Sequence, residues 1–377
     1  MNAIADQLTQ LARPEVRTLP AYNAGLSSEV VRQRYGVSHV ARLGSNENPF
    51  GPSPAVGAAL ANMAQSAGLY PDANCRALRS AIAQRCGALA DAVVVGNGSE
   101  NLLEVLCQAF LSPGDRVVTL IPSFGLHDIY PRMMGASVQM VPVTEAMEFD
   151  VDAWCLALAT GPSPKLAILS NPSNPVGCML DTQAFERIVA ATPADTVLVV
   201  DEAYYEYARL SPGYADALAT LRKQSRPWIV LRTFSKAWGL AGLRVGYGIA
   251  SDIFLVQILD RIRTPFNVNY AAQTAALAAW NDPDHMEMSV RDAVGQRDTL
   301  AEALRTLGLF VAPSAANFLF VNLHRPNGPV AEALLARGII VKPWKEKGYE
   351  HFIRVSIGSA LDNALFLQAM QDILGDS

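Results

Sequence analysis

The sequence predicts an α/β protein with a large, mostly parallel sheet and a second, smaller α+β domain. Between about residues 90 and 270, short uninterrupted apolar runs alternate with longer helical patterns; beyond residue 270 the pattern becomes that of an α+β unit. Runs rich in β-branched residues suit strands buried on both faces, and strand–helix alternation is typical of parallel sheets. A length of 377 residues also favours two domains over one.

Seven apolar runs are expected to form the large sheet, with helices covering both of its faces. The runs are 92–96, 115–121, 137–143, 165–170, 196–201, 228–232 and 245–250. Helical patterns follow the first two runs, at 99–111 and 125–135, and a long Ala-rich pattern begins after residue 269. The predicted large domain spans residues 45–270. The small domain is expected to combine residues 271–377 with the N-terminal segment 1–44.

Composition narrows the class of protein. Half the residues are hydrophobic, 17% are charged, and the net charge of −5 comes without a basic run, so no nucleic-acid partner is expected. Five cysteines without a C-x-x-C pair favour neither a disulfide scaffold nor a zinc site, and no other metal-ligand spacing is visible. No secretory signal or membrane span is visible, so a reducing, cytoplasmic location is predicted.

Candidate chemical residues follow the predicted strands, where open α/β sheets bind ligands. After the first strand, Gly96 and Gly98 allow a tight turn, and Ser99 and Glu100 then open a helix. Free backbone N–H groups at such a helix start form an anion site. A plain helix cap explains the same residues equally well.

Two further strand ends carry polar side chains. The stretch "NPSNPVG" (171–177) builds a turn that would hold the amide of Asn174 in a fixed orientation, although turn formation alone also explains Asn-Pro pairs. Asp201 ends a strand that reads as buried, and a buried carboxylate needs a partner. That partner is either a helix N-terminus or a cation of a ligand.

The stretch "RTFSKAWGLAGLRVG" (232–246) places Lys236 after a buried strand, so this lysine is either an unusual core residue or chemically active. A lysine amine can form a Schiff base with a carbonyl. Thr233 and Ser235 with Arg244 can hold a phosphate dianion. An aldehyde, a phosphate and a basic ring nitrogen together describe pyridoxal 5′-phosphate, whose ring nitrogen would suit Asp201.

These motifs, in their order along the chain, resemble a known family. They are "LGSNENPFGPSP" (43–54), "LYPD" (69–72), "GNGSEN" (96–101), "PSFGLH" (122–127), "NPSNPVG" (171–177), "VVDEAYYEY" (199–207), "RTFSKAWGLAGLRVG" (232–246), "PFNVN" (265–269) and "FIRVSIG" (352–358). The chain resembles the fold-type I pyridoxal-phosphate aminotransferases of class I/II, most closely their histidinol-phosphate aminotransferase branch. The resemblance implies pyridoxal 5′-phosphate as cofactor, a homodimer, and a place in histidine biosynthesis.

The resemblance also implies roles for individual positions. Lys236 matches the lysine that binds the cofactor aldehyde, and Asp201 matches the carboxylate that partners the pyridine nitrogen. Tyr204 and Asn174 match donors to the phenolic oxygen, and Phe124 matches the residue that stacks on the ring. The phosphate is expected to contact Ser99, Glu100, Thr233, Ser235 and Arg244.

The remaining implied roles concern the substrate and the second subunit. Tyr70 resembles a tyrosine that reaches the phosphate in the neighbouring subunit, and Arg354 resembles the arginine that grips a substrate carboxylate. Lys342, Tyr22 and Asn46 are further candidates for substrate binding. His127 is expected to support the site wall rather than act as an acid or base.

The identity of the amino donor depends on Lys342. The histidinol-phosphate branch commonly has an arginine there for the substrate phosphate, and lysine keeps the charge but loses the bidentate geometry. We predict ping-pong transfer between L-histidinol phosphate and 2-oxoglutarate or glutamate. The alternatives are an aromatic or other amino-acid aminotransferase of the same branch and a decarboxylase using the same cofactor. A binding protein without catalysis is a further alternative.

Overall fold

The computed structural model describes residues 3–20, 25–61, 63–66 and 68–375. Its strands are β1 (Ala41–Arg42), β2 (Val93–Gly96), β3 (Arg116–Ile121), β4 (Ser137–Pro142), β5 (Leu166–Ser170), β6 (Val197–Asp201), β7 (Trp228–Thr233), β8 (Gly246–Ala250), β9 (Phe310–Val311), β10 (Phe318–Asn322), β11 (Ile339–Ile340), β12 (Lys342–Pro343) and β13 (Phe352–Ser356).

The α-helices were numbered in the same way. They are α1 (Ala3–Leu11), α2 (Pro14–Arg17), α3 (Ser28–Tyr35), α4 (Pro54–Leu60), α5 (Arg76–Cys86), α6 (Ser99–Phe110), α7 (Leu126–Met133), α8 (Val151–Ala159), α9 (Thr182–Ala191), α10 (Tyr205–Ala208), α11 (Ala217–Leu221), α12 (Ile253–Asp260), α13 (Tyr270–Trp280), α14 (Pro283–Thr306), α15 (Asn327–Ala336) and α16 (Ala360–Gly375). None of the helices in the described ranges has the length and apolar character needed to cross a bilayer.

The large sheet has the predicted α/β architecture. Within the described residues seven strands pair in the order β2-β8-β7-β6-β5-β3-β4, and β8 alone among them runs antiparallel to its neighbours. Every strand predicted between residues 92 and 250 is present, and each differs from its prediction by one residue at one end. The fold class predicted from the sequence is therefore confirmed.

Two hydrophobic layers sandwich this sheet, because side chains of a strand alternate between its faces. Val199 and Ile229 point to a layer formed with α6, α7 and α12, whereas Val200 and Val230 point to a layer formed with α8, α9 and α11. All four side chains are fully buried. Complete burial of such a side chain stabilises the fold by about 1.5–3 kcal/mol, so the sheet is a stable support for the loops at its edge.

The smaller sheet has the order β12-β13-β10-β9 and is antiparallel. The stretch "GIIVKPW" (338–344) contains two short strands, β11 and β12, and β11 pairs in parallel with β1. The N-terminal segment therefore contacts the C-terminal part of the chain. The division at residues 44/45 and 270/271 stays a prediction.

Candidate active site

A cavity of about 500 Å³ lies at the carboxyl ends of β5, β6 and β7, facing β12 and β13. Most of the candidate residues line it. Those residues are Asn46, Ser99, Glu100, Phe124, Asn174, Asp201, Tyr204, Thr233, Ser235, Lys236, Arg244, Lys342 and Arg354. The cavity thus brings together residues, such as Asn46 and Arg354, that are more than 300 positions apart in the sequence.

Lys236 lies in the turn after β7, with its amine in the cavity. Its Nζ donates to the carbonyl of Ser45 at 2.9 Å. Burial lowers the pKa of the Lys236 ammonium to about 7, and the positive charges of Arg354 and Arg244 act in the same direction. Part of the amine population is therefore neutral and nucleophilic near neutral pH.

Asp201 ends β6 and is held from two sides. Its Oδ1 accepts the backbone N–H of Ala203 at 3.1 Å, and its Oδ2 lies 3.1 Å from Nε2 of His127. The other ring nitrogen of His127 lies 3.0 Å from Oγ of Ser123. His127 is fully buried and contacts Asp201 without lining the cavity itself. A carboxylate held in this way at the cavity wall can accept a hydrogen bond from a cationic N–H, such as that of a protonated ring.

A candidate anion-binding corner lies where the N-terminus of α6 meets Arg244. Nη1 of Arg244 donates to Oγ of Ser235 at 3.2 Å, and its Nη2 lies 3.3 Å from Oε2 of Glu100. A Cβ on Gly98 would lie 2.6 Å from Nη2 of Arg244, so the absence of a side chain lets the guanidinium approach the helix start. Free N–H groups, a guanidinium and hydroxyls are the donor set that a phosphate dianion requires.

Tyr204 and Asn174 lie between the sheet and the small domain. The side-chain amide of Asn46, whose backbone is left-handed at φ 56°, donates to the hydroxyl of Tyr204 at 2.9 Å. The amide oxygen of Asn174 accepts from Nη1 of Arg354 at 2.6 Å. Phe124 lines the cavity, and its ring meets the ring of His127 edge-on at 5.6 Å.

Two cations adjoin each other on the small-domain wall. Lys342 on β12 lies opposite Arg354 on β13 in the strand register. Nη2 of Arg354 also donates to the carbonyl of Gly44 at 2.7 Å. Burial lowers the pKa of the Lys342 ammonium, and the charges of Arg354 and Lys345 lower it further. A partly buried ammonium beside a guanidinium favours the binding of an anion between or beside the two groups.

One described candidate residue, Tyr70, is not among the residues that line this cavity. Tyr70 is 82% exposed and stacks on Phe266, with ring centroids 4.6 Å apart, away from the lining residues. Tyr22 lies outside the described residues. The role implied for Tyr70 in a neighbouring subunit stays a prediction.

Sequence reasoning missed several lining residues, among them Ser45, Ser123, Lys345 and Glu346. Oε2 of Glu346 accepts from Nε1 of Trp344 at 2.7 Å, and burial raises the pKa of the Glu346 carboxyl. In the sequence "KEK" (345–347) reads as a solvated charge run. The strand pairing is interrupted at Val341, between β11 and β12, and residues 345–347 follow β12 toward the cavity. No local sequence pattern indicates that interruption.

Comparison with known proteins connects this geometry to a family. The family profile described as Aminotransferase class I and II matches residues 38–373.

The chain belongs to the class I and II aminotransferases.

The resemblance drawn from the sequence motifs is thereby confirmed. The chain is 47% identical over 366 residues to histidinol-phosphate aminotransferase 1 of Mesorhizobium japonicum, covering 97% of this chain and 99% of that protein. It is also 47% identical to histidinol-phosphate aminotransferase 3 of Rhizobium meliloti, over 96% of this chain and 97% of that protein.

A crystal structure supports the same relationship for this aminotransferase. Histidinol-phosphate aminotransferase from Sinorhizobium meliloti, in complex with pyridoxal-5′-phosphate, superposes with a TM-score of 0.88 at 27% identity. The match covers 97% of this chain and 98% of that one. Transamination is thus the reaction class of the chain.

Proposed function

We propose that this aminotransferase uses pyridoxal 5′-phosphate to move an amino group between L-histidinol phosphate and 2-oxoglutarate or glutamate. One observation carries the proposal: Lys236, Asp201 and the corner around Arg244 open into one cavity at the ends of adjacent strands. An amine, a carboxylate and an anion corner match the aldehyde, the ring nitrogen and the phosphate of this cofactor.

When bound, the cofactor supplies an aldehyde carbon that takes and releases the amino group and a ring that accepts electron density. Lys236 would hold that aldehyde through its amine, and the same amine would move the proton at the substrate Cα. A pKa near 7 suits this task because the amine can both accept and return a proton near neutral pH.

Asp201, oriented by Ala203 and His127, holds the proton on the ring nitrogen. Asn46 donates to the hydroxyl oxygen of Tyr204 and so orients it, and this hydroxyl is the proposed donor to the phenolic oxygen. Asn174 is the second group at that oxygen, and Phe124 stacks on the ring. The N–H groups of Ser99 and Glu100, with Thr233, Ser235 and Arg244, hold the phosphate.

Arg354 and Lys342 are the proposed substrate anchors. The planar guanidinium of Arg354 binds the carboxylate of glutamate or 2-oxoglutarate as a fork. Lys342, adjacent in the β12–β13 register, adds the second positive charge needed for the phosphate of histidinol phosphate. Two relatives named histidinol-phosphate aminotransferase at 47% identity support this donor.

The proposed assembly is a cytoplasmic homodimer in which Tyr70 reaches the cofactor phosphate of the neighbouring subunit. The exposed Tyr70–Phe266 stack supports this arrangement, because large aromatic side chains at the surface mark protein interfaces. We do not place Tyr70 in the site of its own chain.

A donor panel tests the function. The purified protein should show a visible cofactor band that Lys236→Ala abolishes, and histidinol phosphate should give the highest kcat/KM with 2-oxoglutarate. A wild-type protein that stays colourless with added cofactor would overturn the proposal. Carbon dioxide release without 2-oxoglutarate would instead identify a decarboxylase.

An aromatic amino-acid donor is the second candidate, favoured by two observations. Lysine replaces the usual arginine at Lys342, and Trp344 supplies an aromatic wall to the cavity. Phenylalanine and tyrosine therefore belong in the same panel as histidinol phosphate.

A further inference from the structure

A buried ion pair, Glu202 with Arg232, lies beside the site, and the proposed chemistry does not use it. The Nε of Arg232 donates to Oε2 of Glu202 at 2.8 Å, and Nη2 lies 2.7 Å from the same oxygen. The two side chains are 0% (Glu202) and 4% (Arg232) exposed. A fully buried charge pair needs an explanation because removing both charges from water is costly.

The pair is joined to the site through the backbone. Glu202 directly follows Asp201, and Arg232 directly precedes Thr233 and lies four residues before Lys236. Because side chains alternate along a strand, Glu202 and Arg232 point to the opposite face of the sheet from Asp201 and Thr233. The ion pair therefore lies next to the strand ends that carry the proposed cofactor residues, on the opposite face of the sheet.

Further contacts extend the connection to a third strand end. The hydroxyl of Tyr214 donates to Oε1 of Glu202 at 3.0 Å and lies 2.9 Å from the carbonyl oxygen of Asn171, which follows β5. The guanidinium of Arg232 lies over the ring of Tyr205, 3.3 Å from its centroid. The ends of β5, β6 and β7, which lead to Asn174, Asp201 and Lys236, thus meet at one polar cluster.

Stability alone does not account for the pair. Replacing a buried ion pair by apolar residues of similar volume is often neutral or stabilising, whereas removal of one partner is strongly destabilising. Thr233 and Asp201 must, however, be held to within a fraction of an ångström if they contact two ends of one rigid ligand. A directional, charged hydrogen bond from Nε of Arg232 to Oε2 of Glu202 supplies such a constraint between the ends of β6 and β7, and an apolar contact does not.

We propose that Glu202 and Arg232 are positioning residues, which fix the spacing between Asp201 and the Thr233–Lys236 turn and so set cofactor affinity and turnover. This inference rests on the proposed function. It assigns no contact between either residue and the cofactor or the substrate.

The test separates positioning from stability. Three variants are compared with wild type: Arg232→Met, the double variant Glu202→Leu/Arg232→Met, and Arg232→Lys, which keeps the charge but loses the planar fork. The measurements are the thermal unfolding of the apo-protein, the dissociation constant of pyridoxal 5′-phosphate by absorbance titration, and kcat and KM. The matched control is the surface pair of Arg187 and Asp152, replaced together as Arg187→Gln/Asp152→Asn.

We expect the double variant to recover the unfolding temperature that Arg232→Met loses, while its cofactor dissociation constant stays at least about tenfold above wild type and its kcat at least about tenfold below. Arg232→Lys should fold and show the same loss of cofactor affinity. The surface control should leave cofactor affinity and kcat unchanged. A double variant or an Arg232→Lys variant with wild-type cofactor affinity and kcat overturns the inference. Failure of the wild type to bind the cofactor would instead refute the proposed function.

Discussion

Lys236 shows how one position acquires its reactivity from its surroundings. Its environment, rather than its own chemistry, lowers the pKa of its ammonium to about 7, since burial and two arginines disfavour the charge. An ordinary lysine in water keeps a pKa of about 10.4. The sequence could identify this lysine by its motif but could not give the depressed pKa, which depends on Arg354, distant in the chain.

A pH profile of cofactor addition tests this shift. The neutral amine is the reactive form, so the rate of pyridoxal 5′-phosphate addition to the apo-protein should rise with pH through about 7 and level off above it. Stopped-flow absorbance measures the rate. A rate that continues to rise up to about pH 10, as for a free lysine, would contradict the assignment.

Lys342 decides between the two candidate donors. We expect Lys342→Ala to raise KM for histidinol phosphate by about tenfold or more while leaving KM for phenylalanine within about twofold, because only the former carries a phosphate. Lys342→Arg, unlike Lys342→Ala, should keep KM for histidinol phosphate near the wild-type value. An equal loss for both donors would assign Lys342 a structural role instead.

At the scale of elements, the strands were predictable and their partners were not. Uninterrupted runs such as "AILS" and "VLVV" predict buried strands because that pattern suits a parallel sheet. The break of "GIIVKPW" into β11 and β12 follows from pairing with β1 and β13, which no local pattern indicates. Strand ends therefore indicated lining residues such as Asp201 and Lys236, whereas Lys345 and Glu346 needed the structure.

The contact between β8 and α6 offers a test at this scale. A Cβ on Gly246 would lie 2.3 Å from the backbone nitrogen of Ser99, so Gly246→Ala must displace the start of α6. We expect a cofactor dissociation constant at least about tenfold higher, measured by absorbance titration, because the helix N-terminus forms part of the anion corner.

Gly295 provides the matched control, since it lies within α14 and a Cβ there meets no atom within 4 Å. Gly295→Ala should raise the free energy of unfolding by about 0.5–1 kcal/mol without changing cofactor affinity. Wild-type affinity in Gly246→Ala would show that α6 tolerates the displacement.

At the scale of the whole molecule, the proposed dimer predicts complementation between two defective chains. Tyr70→Ala and Lys236→Ala should each be weak or inactive alone. If Tyr70 acts in the neighbouring subunit, a mixed dimer contains one site with both residues intact. Mixing and refolding equal amounts should then restore about a quarter of wild-type activity, since half the dimers are mixed and each has one good site. No recovery would show that Tyr70 does not act across the interface.

The pairing of β1 with β11 has a consequence for how the protein is made. Ala41 aligns with Ile339, so one of the first strands to leave the ribosome finds its partner only after nearly the whole chain has been synthesised. Ser45 and Asn46, which contact Lys236 and Tyr204, follow that strand directly. A nascent chain halted before residue 339 should therefore contain its large sheet but not the closed cavity. Catalytic activity should arise in a single step, late in synthesis.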